Sequence, residues 1–192
     1  MIITVAHLKA IAGIETPLMP ELVSWINHFC PAYEIDTAQE FAHFLAQACH
    51  ESDYFKTTQE YASGKAYEGR ADLGNTQAGD GVKFKGRGIF QTTGRANYLQ
   101  LGITKGDGSL FVNDPKLLEL PENAVWSACE YWKSRGLNDI ANHSDTDKLN
   151  KKYKGNIIQV SPVEYISLRI NGGYNGMEER KKFYQRAKSV LV

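Results

Sequence analysis

Cysteine is scarce in this chain, and the few present do not pair. Cys30, Cys49 and Cys129 are an odd number with no C-x-x-C spacing, which argues against a disulfide framework and a zinc knuckle. Such usage suits a reducing cytoplasm, and Cys49, on the apolar side of a helical pattern, reads as a small buried thiol. Long apolar runs are missing as well: none approaches the roughly 18 residues of a membrane span. The opening "MIITVAHLKAIAGI" has neither a basic segment nor a small-residue cleavage site, so no signal peptide is expected. Internal repeats, low-complexity tracts and Pro/Gly/Ser linkers are absent, and residues 1–192 are expected to form one domain.

Net charge is also lacking, with 22 Lys/Arg against 22 Asp/Glu. The balance is uneven along the chain. Residues 148–192 hold ten Lys/Arg and three Asp/Glu, an excess of +7 that leaves −7 on residues 1–147. The positive excess lies largely in Lys151, Lys152, Lys154, Arg180, Lys181, Lys182, Arg186 and Lys188. It marks either an anionic partner or a lysine-rich solvated helix.

What is present is helical periodicity. "TVAHLKAIAG" ends at a glycine stop, and "MPELVSWINHFC" begins with proline in its first turn. The clearest helix is "DTAQEFAHFLAQACHESDYF", with Asp36 or Thr37 as N-cap. Phe41, Phe44, Leu45, Ala48, Ser52 and Phe55 share one face at the helical period. Residues 64–94 are rich in Gly, Asp, Asn and Thr, and "GDGVKFKG" predicts a turn and a short strand. Helices return in "AVWSACEYWKSRGL", "SPVEYISLRI" (Ser161 as cap) and "MEERKKFYQRAKSVL". Trp25, Trp126 and Trp132 fall within helical patterns and are read as core. The fold class is mainly α, with a small β element.

"ACHESDYF" carries polar residues where the third helix leaves the core. A His-Glu pair suggests zinc, but the metalloprotease pattern needs a second histidine four residues on, and that position is Tyr54. His7, His28, His43 and His143 offer no ligand spacing, and no G-x-S-x-G is present. No metal or cofactor is expected. At about 100° per residue, Glu51 lies at the flank of the apolar stripe and His50 faces away. A carboxyl at that edge is partly desolvated, which suits a general acid. A second carboxylate across a groove would complete the equipment for glycosidic hydrolysis. Glu60 reaches that position if the chain turns after Phe55, but spacing alone does not choose it over Asp53, Glu68, Asp72 or Asp80.

The segments "FLAQACHES", "QEYASGKAYEGRADLGNTQAGDGVKFKGRGIFQTTGRANY", "AVWSACEYWKSRGLN" and "RINGGYNGMEERKKFYQRAK" together resemble the family 19 glycoside hydrolases, with the nearest likeness to phage and prophage endolysins. The resemblance covers roughly residues 35–190. It implies a lysozyme-like helical domain of two lobes, with a small β-hairpin beside the cleft. It assigns Glu51 as general acid, Glu60 as general base and Thr93 as the hydroxyl holding the attacking water. Gln91, Asn97 and Asn171 match sugar-site positions, Tyr98 is expected there as a substrate-stacking or packing aromatic, and Glu68 with Arg70 is expected as a supporting ion pair. The implied activity is inverting hydrolysis of β-1,4 bonds in peptidoglycan by a monomer without a separate wall-binding module. The implied setting is the cytoplasm of an infected bacterium, with a holin needed for release. A chitinase is the enzyme alternative, and a catalytically dead wall-binding module the other. Neither nucleic acid nor membrane is an expected partner.

Overall fold

The computed structural model describes residues 1–191. Ten α-helices are present among them: α1 Val5–Ala12, α2 Met19–Ala32, α3 Ala38–Glu51, α4 Asp80–Lys83, α5 Arg95–Thr104, α6 Leu110–Asn113, α7 Pro121–Ser134, α8 Leu137–Ala141, α9 Pro162–Asn171 and α10 Met177–Leu191. A two-stranded antiparallel hairpin, β1 Leu149–Tyr153 and β2 Asn156–Val160, lies between α8 and α9.

Local chemistry sets most boundaries. Gly13 ends α1 in the left-handed conformation, where glycine carries no Cβ penalty. Thr37 caps α3: its hydroxyl accepts from Glu40 N–H at 3.2 Å, and the Glu40 carboxylate accepts from Thr37 N–H at 2.9 Å. α3 then runs through the core. Every residue from Glu40 to Cys49 is buried, so the helix is enclosed on all sides rather than on the one face expected. α10 packs along α3, α1 packs on α10, and α2 packs on α7. Phe41, Phe44 and Leu45 are fully buried; at about 1.5–3 kcal/mol each, they make α3 the fixed axis of the fold. A second cluster of Phe84, Tyr98, Phe111, Leu118 and Trp126 meets the first through Phe29 and Tyr33. Trp132 is fully buried and Trp25 partly so.

The β element is not where the sequence pattern puts it. Residues 80–83 form the short helix α4 instead, because the Asp80 side chain is drawn inward: it accepts from Gln77 N–H at 3.0 Å and takes both Nε and Nη2 of Arg95. The strands lie at 149–160, joined by Lys154-Gly155 with φ of 47° and 87°. Positive φ at both turn residues matches the right-handed twist of a two-residue hairpin.

Candidate active site

α3 delivers Glu51 at its last turn, and the chain then reverses sharply. Asp53, Tyr54 and Phe55 have φ of 47°, 62° and 61°, a left-handed turn built without glycine. Each such residue costs about 1–2 kcal/mol, so the surroundings must hold it. The Ser52 hydroxyl donates to Ala48 O at 2.6 Å and accepts from Phe55 N–H at 3.1 Å. The Thr16 hydroxyl donates to Phe55 O at 2.7 Å, and the Phe55 ring is fully buried. The reversal stops Glu60 from continuing along the helix and carries it onto the segment around Gly86.

Glu51 does not face apolar surface alone. Its Oε1 accepts a hydrogen bond from Arg180 Nη2, and the Arg180 side chain is 1% exposed. Arg180 Nη1 donates to Gln47 Oε1 at 2.6 Å, and Gln47 Nε2 donates to Ser167 Oγ at 3.0 Å. A guanidinium therefore anchors one carboxylate oxygen, and the other has no hydrogen bond among the described residues. His50, expected to face away, is turned inward: Nδ1 lies 2.6 Å from Glu179 Oε2 and the ring packs against Gly176, where a Cβ would stand 2.1 Å from it. Tyr54 OH donates to the other Glu179 oxygen.

Glu60 is fixed by its backbone. Its N–H donates to Gly86 O at 3.0 Å, Lys85 Nζ donates to its carbonyl at 2.9 Å, and bridges link Gln59 to Arg87 and Arg87 to Thr92. Tyr67 OH donates to Glu60 Oε2 at 2.9 Å, and burial together with that bond raises the tyrosine pKa. Glu60 Oε1 is buried with no partner, and so is Gln91 Oε1. Both side chains crowd Gly86: a Cβ there would lie 2.6 Å from Gln91 Oε1 and 3.4 Å from Glu60 Cδ. Two unpartnered acceptors beside one glycine call for a donor between them.

Thr93 and Asn97 lie on the same segment. Thr93 Oγ1 donates to Gln91 O at 2.9 Å, and Asn97 Nδ2 donates to Thr93 O at 2.7 Å. With Phe90, Gln91, Tyr131 and Arg135 they line a cavity of about 460 Å³ between α5 and α7. Burial raises the pKa of Tyr131 in its wall, while the charges of Arg135 and Arg169 oppose that rise. A second hollow of similar volume is lined by Glu164, Tyr174, Glu178 and Glu179; Glu164 and Glu178 pair with Lys181, and Glu179 with His50.

Several expected contacts are corrected. Tyr98 is fully buried; its hydroxyl donates to Lys85 O at 2.6 Å and accepts from Arg87 Nη1 at 3.0 Å, so it packs beneath the site and does not face a sugar. Arg70 pairs with Asp72 at 2.6 Å, whereas Glu68 accepts from Gly79 and Gly81 N–H at 2.7 and 2.8 Å. The local geometry of two adjacent turns separates that supposed pair. Asn171 uses its amide on Gly173 O and Asn175 O at 3.0 and 3.3 Å, closing the loop after α9. Arg180 is not a surface charge, and Lys181 and Lys188 pair with Glu164 and Asp145. Arg180 and Tyr67 escaped the sequence reading because nothing local marks a partner 129 or seven residues away.

No family model matches the chain. A curated Haemophilus influenzae protein described as a glycosyl hydrolase family 19 domain-containing protein is 30% identical over 132 residues, 68% of this chain and 54% of the relative. The chain thus spans about half the length of the curated relative it matches. Chitinase C from Streptomyces griseus superposes with a TM-score of 0.63 at 18% identity, over 99% of this chain and 76% of that one. A bacterial family 19 chitinase gives 0.62 at 18% identity, over 100% of this chain and 95% of that one. At that identity the structural likeness speaks for the fold.

Proposed function

We propose, from the premise that this chain has the fold of the family 19 glycoside hydrolases and sequence likeness to a protein carrying that domain, that it hydrolyses β-1,4 bonds of bacterial peptidoglycan by inversion. Glu51 is the acid, Glu60 the base, and Thr93 the hydroxyl that orients water. The observation that carries this reading is the state of Glu60: held by its backbone to Gly86, with one oxygen on Tyr67 and the other buried without a partner.

In this mechanism the free oxygen of Glu51 donates a proton to the glycosidic oxygen as the C1–O bond breaks. Water adds to C1 from the opposite face and passes its proton to Glu60. Arg180 then stabilises the Glu51 carboxylate that remains. Gln91 and Asn97 supply amide groups matched to hydroxyl and N-acetyl groups. Synthesis in the cytoplasm of a phage-infected bacterium, with a holin for release, fits an endolysin role.

The chitinase reading is favoured by the names of the structural neighbours, since chitin carries the same N-acetylglucosamine unit. Incubation with purified peptidoglycan and with colloidal chitin, followed by identification of the new reducing ends, separates the two. Release from chitin alone would overturn the peptidoglycan assignment; release from neither would overturn the glycosidase reading.

A further inference from the structure

The basic C-terminal half contains cations that the fold leaves without counter-ions. Arg135, Arg169 and Lys151 form no ion pair with a carboxylate among the described residues. They come from the residue that caps α7, from α9 and from β1, and are linked through Tyr131 and Tyr165. The Arg135 guanidinium stacks on the Tyr131 ring with Cζ 3.5 Å from its centroid, and Tyr131 OH donates to Arg169 O at 3.0 Å. Lys151 is 8% exposed, with Nζ 4.2 Å from the centre of the Tyr165 ring. Burial, and then the charge of Arg169, lower its pKa.

A largely buried ammonium facing a tyrosine ring, with no carboxylate against it among the described residues, is costly unless a ligand supplies the charge. Of the nearby carboxylates, Glu51 is paired with Arg180, and Glu130, which lines the same cavity, accepts from Tyr33 OH at 2.5 Å and forms no ion pair with the three cations. Arg135 and the Tyr131 ring beneath it line the cleft cavity, and so does Ile170, the residue after Arg169, so the cluster adjoins the cleft through Arg135.

We infer that Arg135, Arg169 and Lys151 form a carboxylate-binding strip at one end of the cleft, selecting glycans that carry acidic groups over neutral ones. The strip rests on the glycan reading above and sharpens it. Chitin has no carboxylate to offer, whereas each muramic unit of peptidoglycan bears a lactyl carboxyl, free or extended into a peptide with acidic groups of its own. A guanidinium held flat on an aromatic ring is preorganised for planar, bidentate carboxylate recognition.

The test compares binding of two reduced disaccharides to the 192-residue chain by NMR titration. One is N-acetylglucosaminyl-N-acetylmuramitol with a free lactyl carboxylate; the other is reduced di-N-acetylchitobiose. The acidic disaccharide is expected to bind roughly tenfold tighter at low salt, with the advantage shrinking as salt shortens the Debye length to about 8 Å. Arg135→Gln and Arg169→Gln, both at exposed positions, should each bring the affinity ratio towards one; Lys151→Met tests the buried member. Equal binding of the two disaccharides, or a ratio that both arginine variants leave intact, would overturn the strip. So would a single-stranded oligonucleotide that outcompetes the acidic disaccharide at these residues. Peptidoglycan hydrolysis is followed in parallel. A preserved ratio preference without any hydrolysis would support the strip and sink the glycosidase reading, while hydrolysis without a preference would do the reverse.

Discussion

The guanidinium of Arg180 binds Glu51 and Gln47 together, across 129 and 133 residues of chain. The two ends of the pair carry different consequences. Glu51→Gln keeps the shape and a hydrogen-bond acceptor, so the protein should fold while losing about 10²–10⁴-fold in turnover. Arg180→Gln strands a largely buried carboxylate and should cost about 3 kcal/mol of stability as well as activity. Urea melts and peptidoglycan turnover separate the effects; near-normal turnover by a folded Glu51→Gln protein would end its assignment as the acid.

Tyr67 is the only hydrogen-bond donor to the Glu60 carboxylate among the described residues. A hydrogen bond to a charged group is worth about 1.5–3 kcal/mol, so Tyr67→Phe should lower kcat by roughly tenfold or more. Glu60→Gln should remove nearly all activity. If Asp53→Asn were equally damaging while Glu60→Gln was tolerated, the base would be Asp53.

Direct attack by a water on Thr93 implies inversion, for which carboxyls stand roughly 6.5–9.5 Å apart, against about 5–5.5 Å in retaining enzymes. The first product from a soluble β-linked oligosaccharide should therefore be the α-anomer. Proton NMR before mutarotation decides this, and an initial β-anomer would remove the roles given to Glu60 and Thr93.

The left-handed turn at 53–55 depends on Ser52, whose buried hydroxyl bonds both Ala48 O and Phe55 N–H. Ser52→Ala leaves that N–H without its side-chain acceptor and should cost about 1–3 kcal/mol. Ser52→Thr keeps the hydroxyl and should recover part of the loss. Equal denaturation midpoints for wild type and Ser52→Ala would show that the turn is held by packing alone.

His43 is fully buried, with both ring nitrogens unpartnered, and stacks on Tyr184 at 4.0 Å. Burial depresses its pKa from 6.5 to about 4 against an opposing pull from Asp145, with Lys188 adding a smaller push in the same direction as burial. The unfolded chain therefore binds this proton more readily than the folded one. Stability from this group is complete above pH 6.5, falls between pH 6.5 and 4, and changes no further below. The full loss is about 3 kcal/mol. Urea unfolding across that range should show the slope, and His43→Phe should flatten it; an unchanged slope would mean other groups govern acid unfolding.

Sequence alone determined the features that depend on neighbours within one helical turn. Thr37 with Glu40, Pro20 after Met19, Gly13, and Ser161 N–H on Glu164 at 2.8 Å all start or stop helices by contacts within four residues. The Lys154-Gly155 hairpin belonged to the same class of signal, but lysine at a positive-φ position masked it. Motif resemblance reached further and selected Glu60 where periodicity could not. Tertiary structure alone decided which groups meet. It turned His50 onto Glu179, sank Tyr98 and buried Arg180 against Glu51. It also collected Arg135, Arg169 and Lys151 around two tyrosine rings. Caps and periods are satisfied by the chain's own nearest residues, whereas His50 meets Glu179 and Glu51 meets Arg180 only because α10 lies along α3, and Lys151 meets Tyr165 only because the hairpin folds back onto α9.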